Sequence, residues 1–226
     1  MINIHKNSID VIINDEVFTL LPQKAIYYKK EKAIIVTDIH LGKTGHFRNA
    51  GIPVPADLAF VDLEILDDLL NDINLKIERL IVLGDLFHSK LNIDWRIFEE
   101  WRIKNRHIKI QLIKGNHDIL SDEVYRTLNI EVFDLAIMNK FMLVHKYKDE
   151  DQINGLYKIC GHIHPAVRIY GKARQALTLP CFYFGESFGI LPAFGRFTGK
   201  YIIRPCENDS VFVIADMEEG KKVMRV

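Results

Sequence analysis

The stretch that decides the fold reads Ala33-Ile34-Ile35-Val36-Thr37-Asp38-Ile39-His40. Its first four residues are apolar, which is typical of a strand in a parallel sheet that is covered on both faces. The apolar run ends abruptly in two polar side chains, Asp38 and His40. Because ligands of open α/β sheets bind beyond the carboxyl ends of the strands, these two residues predict a functional site at that edge.

Helical and strand patterns alternate in the residues that follow. Apolar side chains recur at helical spacing over residues 58–73 and again over residues 95–105. Apolar runs at residues 80–83 and 108–113 follow these two segments and are predicted to form buried strands. This alternation favours right-handed crossovers and a mainly parallel sheet.

The second half of the chain has short apolar runs separated by turns with Gly and Pro, a pattern typical of a β-meander. We expect these runs to form a second sheet that packs on the first, with helices outside. The fold class is therefore predicted to be α/β, with two packed mixed β-sheets flanked by helices. No repeat or linker-like tract divides residues 1–226, so we expect a single domain. The predicted strands cover residues 141–144, 157–160, 167–170, 176–184, 201–203 and 211–215.

The composition limits the kind of protein. Of 226 residues, 48% are hydrophobic and 27% are charged, as in a soluble globular protein, and the formal net charge is zero. A neutral chain has no long-range attraction for nucleic acid or for an anionic membrane, so any site for a polyanion has to be local. The N-terminus does not read as a signal peptide, no apolar stretch is long enough to span a bilayer, and the three cysteines are scattered. We expect a cytoplasmic protein with reduced thiols and no membrane partner.

Polar clusters follow several of the predicted strands, and a further candidate, His145, follows the strand at residues 141–144. One such cluster alone is more often an ordinary loop, but their joint occurrence after separate strands predicts one shared crevice. Carboxylate, imidazole and amide oxygen, without a thiolate, suit Mn²⁺, Fe²⁺, Zn²⁺ or Mg²⁺. Glycines beside these groups would allow tight turns or close approach of the chain. The clusters are Asp38-Ile39-His40, Gly84-Asp85-Leu86-Phe87-His88, Gly115-Asn116-His117-Asp118 and Gly161-His162-Ile163-His164.

These clusters resemble the motifs of the calcineurin-like metallophosphoesterase superfamily, which are D-x-H, G-D-x-x-[DH], G-N-H-[DE], a further His and G-H-x-H. The resemblance implies the four-layer α-β-β-α sandwich of that superfamily. More narrowly, the chain resembles the bacterial ligase-associated DNA damage response endonuclease/phosphoesterase family over nearly its whole length. One departure is His145-Lys146-Tyr147, where many superfamily members have His-Gly-His. It puts in doubt the phosphate contact of the second histidine but leaves the metal site intact. The narrower match rests on residues 38–43, 46–48, 51–55, 84–89 and 191–199.

The superfamily resemblance also implies two divalent metal ions, with Mn²⁺ the expected species and Fe²⁺, Zn²⁺ or Mg²⁺ as alternatives. Asp85 would bridge the two ions, which would activate a water molecule to attack phosphorus in line. By the same resemblance, the first ion would be held by Asp38, His40, Asp85 and His164. The second would be held by Asp85, Asn116, His145 and His162.

Three further residues take roles beside the ions in this resemblance. His117 is expected to stabilise the phosphoryl oxygens or to protonate the leaving group, and Asp118 to orient the His117 imidazole. His88 is expected either to contact the site or to support a ligand from behind, and both readings stay open.

Two basic segments next to these motifs suggest how substrate would bind. Residues 41–56 carry Lys43, His46 and Arg48 without an acid, and residues 165–205 carry six basic residues against the single acid Glu186. Basic groups beside aromatic rings suit single-stranded nucleic acid, because the backbone pairs with Lys and Arg and the bases stack on rings. The plain alternative is a solvated basic face over core aromatics. The aromatics concerned are Phe47, Tyr183, Phe194 and Phe197, and the basic residues of the second segment are Arg168, Lys172, Arg174, Arg196, Lys200 and Arg204.

The predicted function is divalent-metal-dependent phosphodiester hydrolysis, in single-stranded or damaged DNA or in RNA. One alternative is a phosphodiesterase or phosphatase for small molecules such as nucleotides, which would have a narrow, closed pocket. A second is a non-catalytic scaffold, which would be expected to lose ligands, whereas here every expected ligand is present. The narrower resemblance implies association with a DNA ligase and a helicase, and the oligomeric state stays open, a homodimer included.

Overall fold

The computed structural model describes residues 7–43, 45, 51, 58–72, 74–88, 90–148, 155–171 and 175–226. Within these residues the chain forms two mixed β-sheets with flanking helices, as predicted. The first sheet has its strands in chain order, from β1 to β7. They are β1 Ile9–Ile13, β2 Glu16–Leu21, β3 Ala25–Tyr28, β4 Ala33–Val36, β5 Arg79–Leu83, β6 Lys109–Ile113 and β7 Ile130–Phe133.

The first sheet is parallel in only one of its halves. Strands β4 to β7 pair in parallel, as the alternation of strands and helices predicts. Strands β1 to β4 instead form antiparallel hairpins, in which β1, β2 and β3 were not predicted from the sequence, so the sheet as a whole is mixed. The physical reason is that short turns join β1, β2, β3 and β4, and such turns reverse the chain direction.

Helices connect the parallel strands. Three α-helices lie entirely within the described residues, α1 Leu58–Leu70, α2 Ile93–Lys104 and α3 Asp122–Thr127, and a 3₁₀ turn spans Lys29–Glu31. The side chain of Asn92 caps α2, because its oxygen accepts a hydrogen bond of 2.9 Å from the backbone N–H of Asp94. The two helices predicted from apolar spacing are therefore confirmed, with ends that differ by a few residues.

The second sheet has the order β14-β11-β12-β13-β10-β9-β8, and β15 and β16 extend it from β12. It is not the plain meander that the sequence suggests, because β9, β10 and β13 are parallel neighbours. Two of these parallel strands, β9 and β10, carry polar motifs at their carboxyl ends. The strands are β8 Ala136–Met138, β9 Phe141–Leu143, β10 Tyr157–Cys160, β11 Pro165–Tyr170, β12 Ala176–Phe184, β13 Phe188–Ile190, β14 Tyr201–Ile202, β15 Ser210–Met217 and β16 Gly220–Arg225.

Two apolar layers hold the sheets and helices together. Between the sheets, Phe18 and Tyr28 of the first sheet pack against Phe141 of the second, with ring centroids 4.9 and 6.2 Å from that of Phe141. On its other face the first sheet packs against α1, α2 and α3, through side chains such as Leu66 and Trp95. The outer face of the second sheet carries smaller clusters of strand side chains, so the α-helices of the described residues all lie on the first sheet.

Two further expectations from composition can be compared with the fold. Cys160 and Cys181 are buried free thiols, and Cys206 is an exposed free thiol, as their scattered positions predict. Among the helices that the structure describes, none combines the length and the apolar character needed to cross a membrane.

Candidate metal centre

The predicted polar clusters meet in one crevice between the two sheets. Loops after β4, β5 and β6 of the first sheet face loops after β9 and β10 of the second. Backbone hydrogen bonds join neighbouring loops: the N–H of Asp38 donates to the Gly84 carbonyl at 3.1 Å and that of His40 to the Asp85 carbonyl at 2.8 Å. The N–H of Gly161 similarly donates to the carbonyl of His145 at 3.0 Å. The strand ends therefore present their side chains to a common space.

The backbone is left-handed at five of the seven residues predicted to bind metal. This conformation is uncommon in residues other than glycine and costs on the order of 1–3 kcal/mol at each position. It persists only where the surrounding structure holds it, and such positions cluster at functional sites. The φ angles are 51° at Asp38, 54° at His40, 52° at Asp85, 71° at His162 and 54° at His164.

One group of potential ligands surrounds Asp38. The Oδ1 atom of Asp38 lies 3.2 Å from Nε2 of His164 and 3.8 Å from Nε2 of His40. The Oδ2 atom of Asp85 lies 3.6 Å from the same His40 nitrogen. Ligands about 2.1 Å from one ion stand about 3–4 Å from each other, so this spacing suits a metal ion.

A second group surrounds His145. Its Nε2 atom lies 3.6 Å from Oδ2 of Asp85, 3.2 Å from Oδ1 of Asn116 and 3.1 Å from Nδ1 of His162. Asp38, Asp85 and His145 also have ligand atoms within 4.8 Å of one another. Asp85 therefore stands between the two groups, with one carboxylate oxygen next to both.

In three of the four imidazoles proposed as ligands, the ring nitrogen away from the ligand group has a neighbour that holds the ring in place. Nδ1 of His145 lies 2.8 Å from the Leu83 carbonyl, and Nδ1 of His164 lies 3.2 Å from the Gly199 carbonyl. A nitrogen beside a carbonyl carries the proton, so Nε2 of each ring keeps its lone pair for a metal. Nδ1 of His40 lies 2.9 Å from Nδ1 of His88, which leaves Nε2 of His40 towards the carboxylates.

Two buried atoms in the first group lack a hydrogen-bond partner: Oδ1 of Asp38 and Nε2 of His40. The other oxygen of Asp38 is satisfied, because it accepts from Oγ1 of Thr37 at 2.6 Å and from the backbone N–H of His162 at 2.9 Å. Unpaired buried polar atoms are costly, and a cation between them would satisfy both. The residues therefore fit a divalent metal ion.

The pKa values agree with this chemistry. Burial lowers the pKa of His40 to about 3, and burial together with His145 also lowers the pKa of His162. Both rings are thus neutral near pH 7, which is the form that binds metals. Burial opposes ionisation of Asp38, but the neighbouring imidazoles of His164 and His145 and the hydroxyl of Thr37 bring its pKa below the ordinary value.

Gly161 lets two loops of the site touch. A Cβ atom at this position would lie 1.8 Å from Oγ1 of Thr37 and 2.6 Å from Oδ2 of Asp38. No side chain fits in that space, so only glycine permits this approach of the two sheets. The expectation of close approach beside the ligands is confirmed here.

His117 and His88 lie side by side next to the first group. Their rings stack with centroids 4.1 Å apart, and the ring of His117 lies 5.3 Å from that of His40. His117 is half-buried, and its backbone N–H donates to Oδ1 of Asp85 at 2.9 Å. His88 contacts His40 directly. Of the two roles that the sequence left open for His88, this contact agrees with support of a ligand.

The predicted contact of Asp118 with the His117 ring is wrong. Its carboxylate accepts hydrogen bonds from the backbone N–H groups of Asp85, Gly115 and Phe87, at 2.8, 2.9 and 3.1 Å. The hydroxyl of Tyr125 donates to it as well, at 3.3 Å. Asp118 is buried beneath the loops, and burial raises its pKa to about 6. Asp118 therefore fixes the backbone that carries Asp85 and does not orient the His117 imidazole.

The predicted substrate-binding residues are only partly described. Lys43 is half-buried, and burial lowers its pKa although the charge of Asp85 opposes that shift. Its backbone N–H donates to the His40 carbonyl at 3.3 Å, so it lies near the ligands. His46 and Arg48 lie outside the described residues, as do Phe47, Lys172 and Arg174. Phe194 is buried in the core, which agrees with the plain alternative for that ring.

Two residues of the site escaped the sequence analysis. Thr37 orients Asp38 through a hydrogen bond. Its polar side chain at the end of an apolar strand is the sequence feature that could have indicated this role. Tyr125 supports Asp118 from α3, and nothing in its sequence context distinguishes it from an ordinary core residue.

The fold and the site define a metal-dependent phosphoesterase, a hydrolase of phosphate esters. The sequence model of the calcineurin-like phosphoesterases matches residues 32–205, and the chain belongs to this family. No curated protein matches the chain.

Solved structures give further similarities. The nuclease MPE of Pseudomonas putida is 29% identical, with a TM-score of 0.79, and the match covers 97% of this chain and 100% of that one. A protein of unknown function from Aquifex aeolicus is 17% identical, with a TM-score of 0.40, over 62% of this chain and 81% of that one. A Vps29 double mutant from Entamoeba histolytica is 14% identical, with a TM-score of 0.37, over 86% of this chain and 97% of that one.

Proposed function

We propose that the chain is a two-metal phosphodiesterase that cleaves single-stranded nucleic acid, DNA above all, as an endonuclease. One observation carries the proposal: Oδ2 of Asp85 lies 3.6 Å from Nε2 of both His40 and His145. A carboxylate shared in this way can hold two cations about 3.5–4 Å apart, the spacing of two-metal phosphoesterases.

Each ion would have ligands from both sheets. Mn²⁺ suits this mixture of carboxylate, imidazole and amide oxygen. When bound, the ions supply Lewis-acid activation of water and offset the negative charge on the phosphoryl oxygens. The proposed ligands are Asp38, His40, Asp85 and His164 for the first ion. For the second they are Asp85, Asn116, His145 and His162.

The remaining residues would act on the substrate itself. His117 is half-buried beside His40, so its ring can reach a phosphoryl oxygen or the leaving alkoxide and donate a proton there. His88 stacks on the His117 ring and limits its orientation. Lys43, close enough to Asp85 to sense its charge, would attract the phosphate group.

Nucleic acid is the proposed substrate for two reasons. The Pseudomonas putida relative, described as a nuclease, matches this chain over almost its entire length. The basic residues of the second sheet are interspersed with aromatic ones, which suits a single strand better than a small nucleotide. The complete set of ligands speaks against a non-catalytic scaffold.

A cleavage assay with defined substrates tests the proposal. Purified protein with Mn²⁺ is incubated with labelled single-stranded DNA and RNA, with a diester reporter and with a monoester reporter. We expect cleavage of single strands and of the diester, and none by Asp85→Asn. Hydrolysis of the reporters without cleavage of any strand would instead indicate a small-molecule enzyme.

A further inference from the structure

An open groove lies on the outer face of the second sheet. It is lined by Tyr183, Phe188 and Ile190 and by the segment of residues 200–204. Its volume of about 820 Å³ is within the range of ligand sites, about 300–1,000 Å³. The ring of Tyr201 is 63% exposed, and Phe188 is half-buried. The groove therefore offers aromatic rings to solvent.

This groove adjoins the metal centre. The backbone N–H of Tyr201 donates to the carbonyl of His164, one of the proposed ligands, at 2.9 Å. Ile163, which lies between His162 and His164, packs in the same apolar cluster as Tyr183 and Phe188. A polymer held at the metal centre can thus continue along the groove.

The charges of the groove favour an anion. Its described lining has two basic side chains, Lys200 and Arg204, and no acidic one. The Nζ atom of Lys200 donates to the Thr178 carbonyl at 3.1 Å, which fixes the ammonium at the rim and leaves further donors for a phosphate. The hydroxyl of Tyr183 donates to Asp209 at 2.9 Å, and this bond holds its ring in place.

We propose that this groove is the track of a single-stranded nucleic acid on its way to or from the metal centre, with bases against the rings of Tyr201, Tyr183 and Phe188 and phosphates at Lys200 and Arg204. The inference rests on the proposed nuclease function and names where the strand runs. Rings exposed beside cations are the recurring features of such tracks, because every base has a face that can stack. A duplex would bind less well, since its bases already stack on each other.

Binding and cleavage together test the track. Fluorescence anisotropy with a labelled strand of 20 nucleotides gives Kd without catalysis, and we expect Tyr201→Ala to raise Kd about tenfold. The double variant Lys200→Ala/Arg204→Ala should raise Kd and flatten its salt dependence. Tyr170→Ala and Lys222→Ala are matched controls, since both side chains are exposed outside the groove, and they should bind as the wild type does.

The outcomes separate the track from the function on which it rests. Equal affinity of Tyr201→Ala and Tyr170→Ala for the strand, or no binding by the wild type, would overturn the track. In cleavage assays, the ratio of strand cleavage to diester hydrolysis should fall in Tyr201→Ala and not in Tyr170→Ala. Strand binding that depends on Tyr201, without any cleavage, would keep the track and refute the nuclease.

A different observation concerns residues 194–201, which overlap the sequence motif of residues 191–199 and contain none of the proposed metal ligands. The N–H of Phe194 donates to the Thr37 carbonyl at 2.8 Å and that of Gly195 to the Asp38 carbonyl at 3.1 Å. At its other end, the segment gives the Gly199 carbonyl to the ring of His164. It thus touches both Asp38 and His164, two ligands proposed for the same ion.

The segment is itself anchored away from the metal centre. The N–H of Arg196 donates to Oδ2 of Asp62 at 3.2 Å, and Nζ of Lys24 donates to the Phe194 carbonyl at 3.3 Å. Asp62 is buried on α1. We infer that the 194–201 segment is a positioning element for the first ion, because it ties Asp38 and His164, two ligands proposed for that ion, to α1.

Gly195 gives the sharpest test, because a Cβ atom there would lie 2.2 Å from the Ile39 carbonyl oxygen. In Gly195→Ala the loop with Asp38 has to move, and we expect one Mn²⁺ to bind at least about tenfold more weakly while the affinity for the other falls much less. Calorimetry gives the two affinities, and electron paramagnetic resonance should show isolated instead of coupled Mn²⁺. Gly171→Ala is the matched control, since its Cβ would meet no atom closer than 3.8 Å.

A purely structural role predicts a different result. In that case Gly195→Ala would lower the melting temperature of the metal-free protein, and the affinities for the two ions would be unchanged or would fall equally. Either result would refute the positioning role. If Gly195→Ala does not fold, Asp62→Ala decides, because it removes the anchor of Arg196 and keeps every proposed ligand. It should weaken the same single ion, to a smaller extent.

Discussion

The two sheets contribute differently to the metal centre. Loops of the first sheet supply its carboxylates, Asp38 and Asp85, whereas loops of the second supply only imidazoles, at His145, His162 and His164. The carboxylates are almost fully buried and are fixed by backbone N–H groups. The rings of the second sheet are less buried, apart from His145. The first sheet therefore provides fixed negative charge, and the second would complete the coordination of the proposed ions with imidazole nitrogens.

The largest effect is expected where the two contributions meet, at Asp85. In Asp85→Asn the carboxylate shared by both groups becomes neutral, so we expect activity to fall to background and bound metal to fall well below the wild-type content. Metal analysis of protein purified without chelator measures the second effect. A variant with full metal content and normal turnover would show that the two groups do not share this ligand.

His117→Ala should have the next largest effect. His117 comes from the first sheet but stands outside both ligand groups, so its loss should leave metal content unchanged. Turnover should fall by about 10²–10⁴-fold, the usual contribution of a positioned acid or electrostatic donor. Loss of metal in this variant would mean that His117 belongs among the ligands, and the comparison of the sheets would change.

The ligands of the first sheet were open to prediction from sequence for a physical reason. A parallel strand covered on both faces has to be apolar, so the first polar residue after it marks the sheet edge, as at Asp38 and Asp85. The roles of the neighbouring loop residues could not be predicted from this strand pattern. Asn116, His117 and Asp118 are adjacent in sequence, but the side chains of the first two face the crevice, whereas that of the third lies beneath the loops.

The architecture shows the same limit. The spacing of apolar residues predicted α1, α2 and the strands next to them, because helix and strand periodicity is a local property of the sequence. The parallel pairing of β9, β10 and β13 depends on contacts between distant residues, and no local pattern encodes it. The antiparallel strands β1 to β3 were missed for a related reason, since their burial depends on the second sheet that covers them.

Lys43→Ala should have a smaller effect, and one that depends on the substrate. Lys43 follows β4 and can offset phosphate charge, so we expect cleavage of single-stranded DNA to fall about fivefold to tenfold at low salt. Hydrolysis of a small diester should fall less, because it presents fewer phosphates. Lys222→Ala, on an exposed strand of the second sheet, is the control of equal charge. Equal losses for both substrates would argue against a role in substrate binding.

The smallest effect is expected at Tyr125, which supports the first-sheet side of the centre through Asp118. The hydroxyl of Tyr125 lies 3.3 Å from Oδ1 of Asp118, which also accepts from the N–H of Phe87. In Tyr125→Phe the ring stays and one long hydrogen bond is lost, so stability should fall by about 1 kcal/mol. That corresponds to a melting temperature lower by about 2–4 °C, with turnover changed by less than about twofold. Because Asp118 keeps three backbone donors, the loop that carries Asp85 should hold its shape; a large loss of activity would mean that the rigidity of the first sheet depends on this hydroxyl.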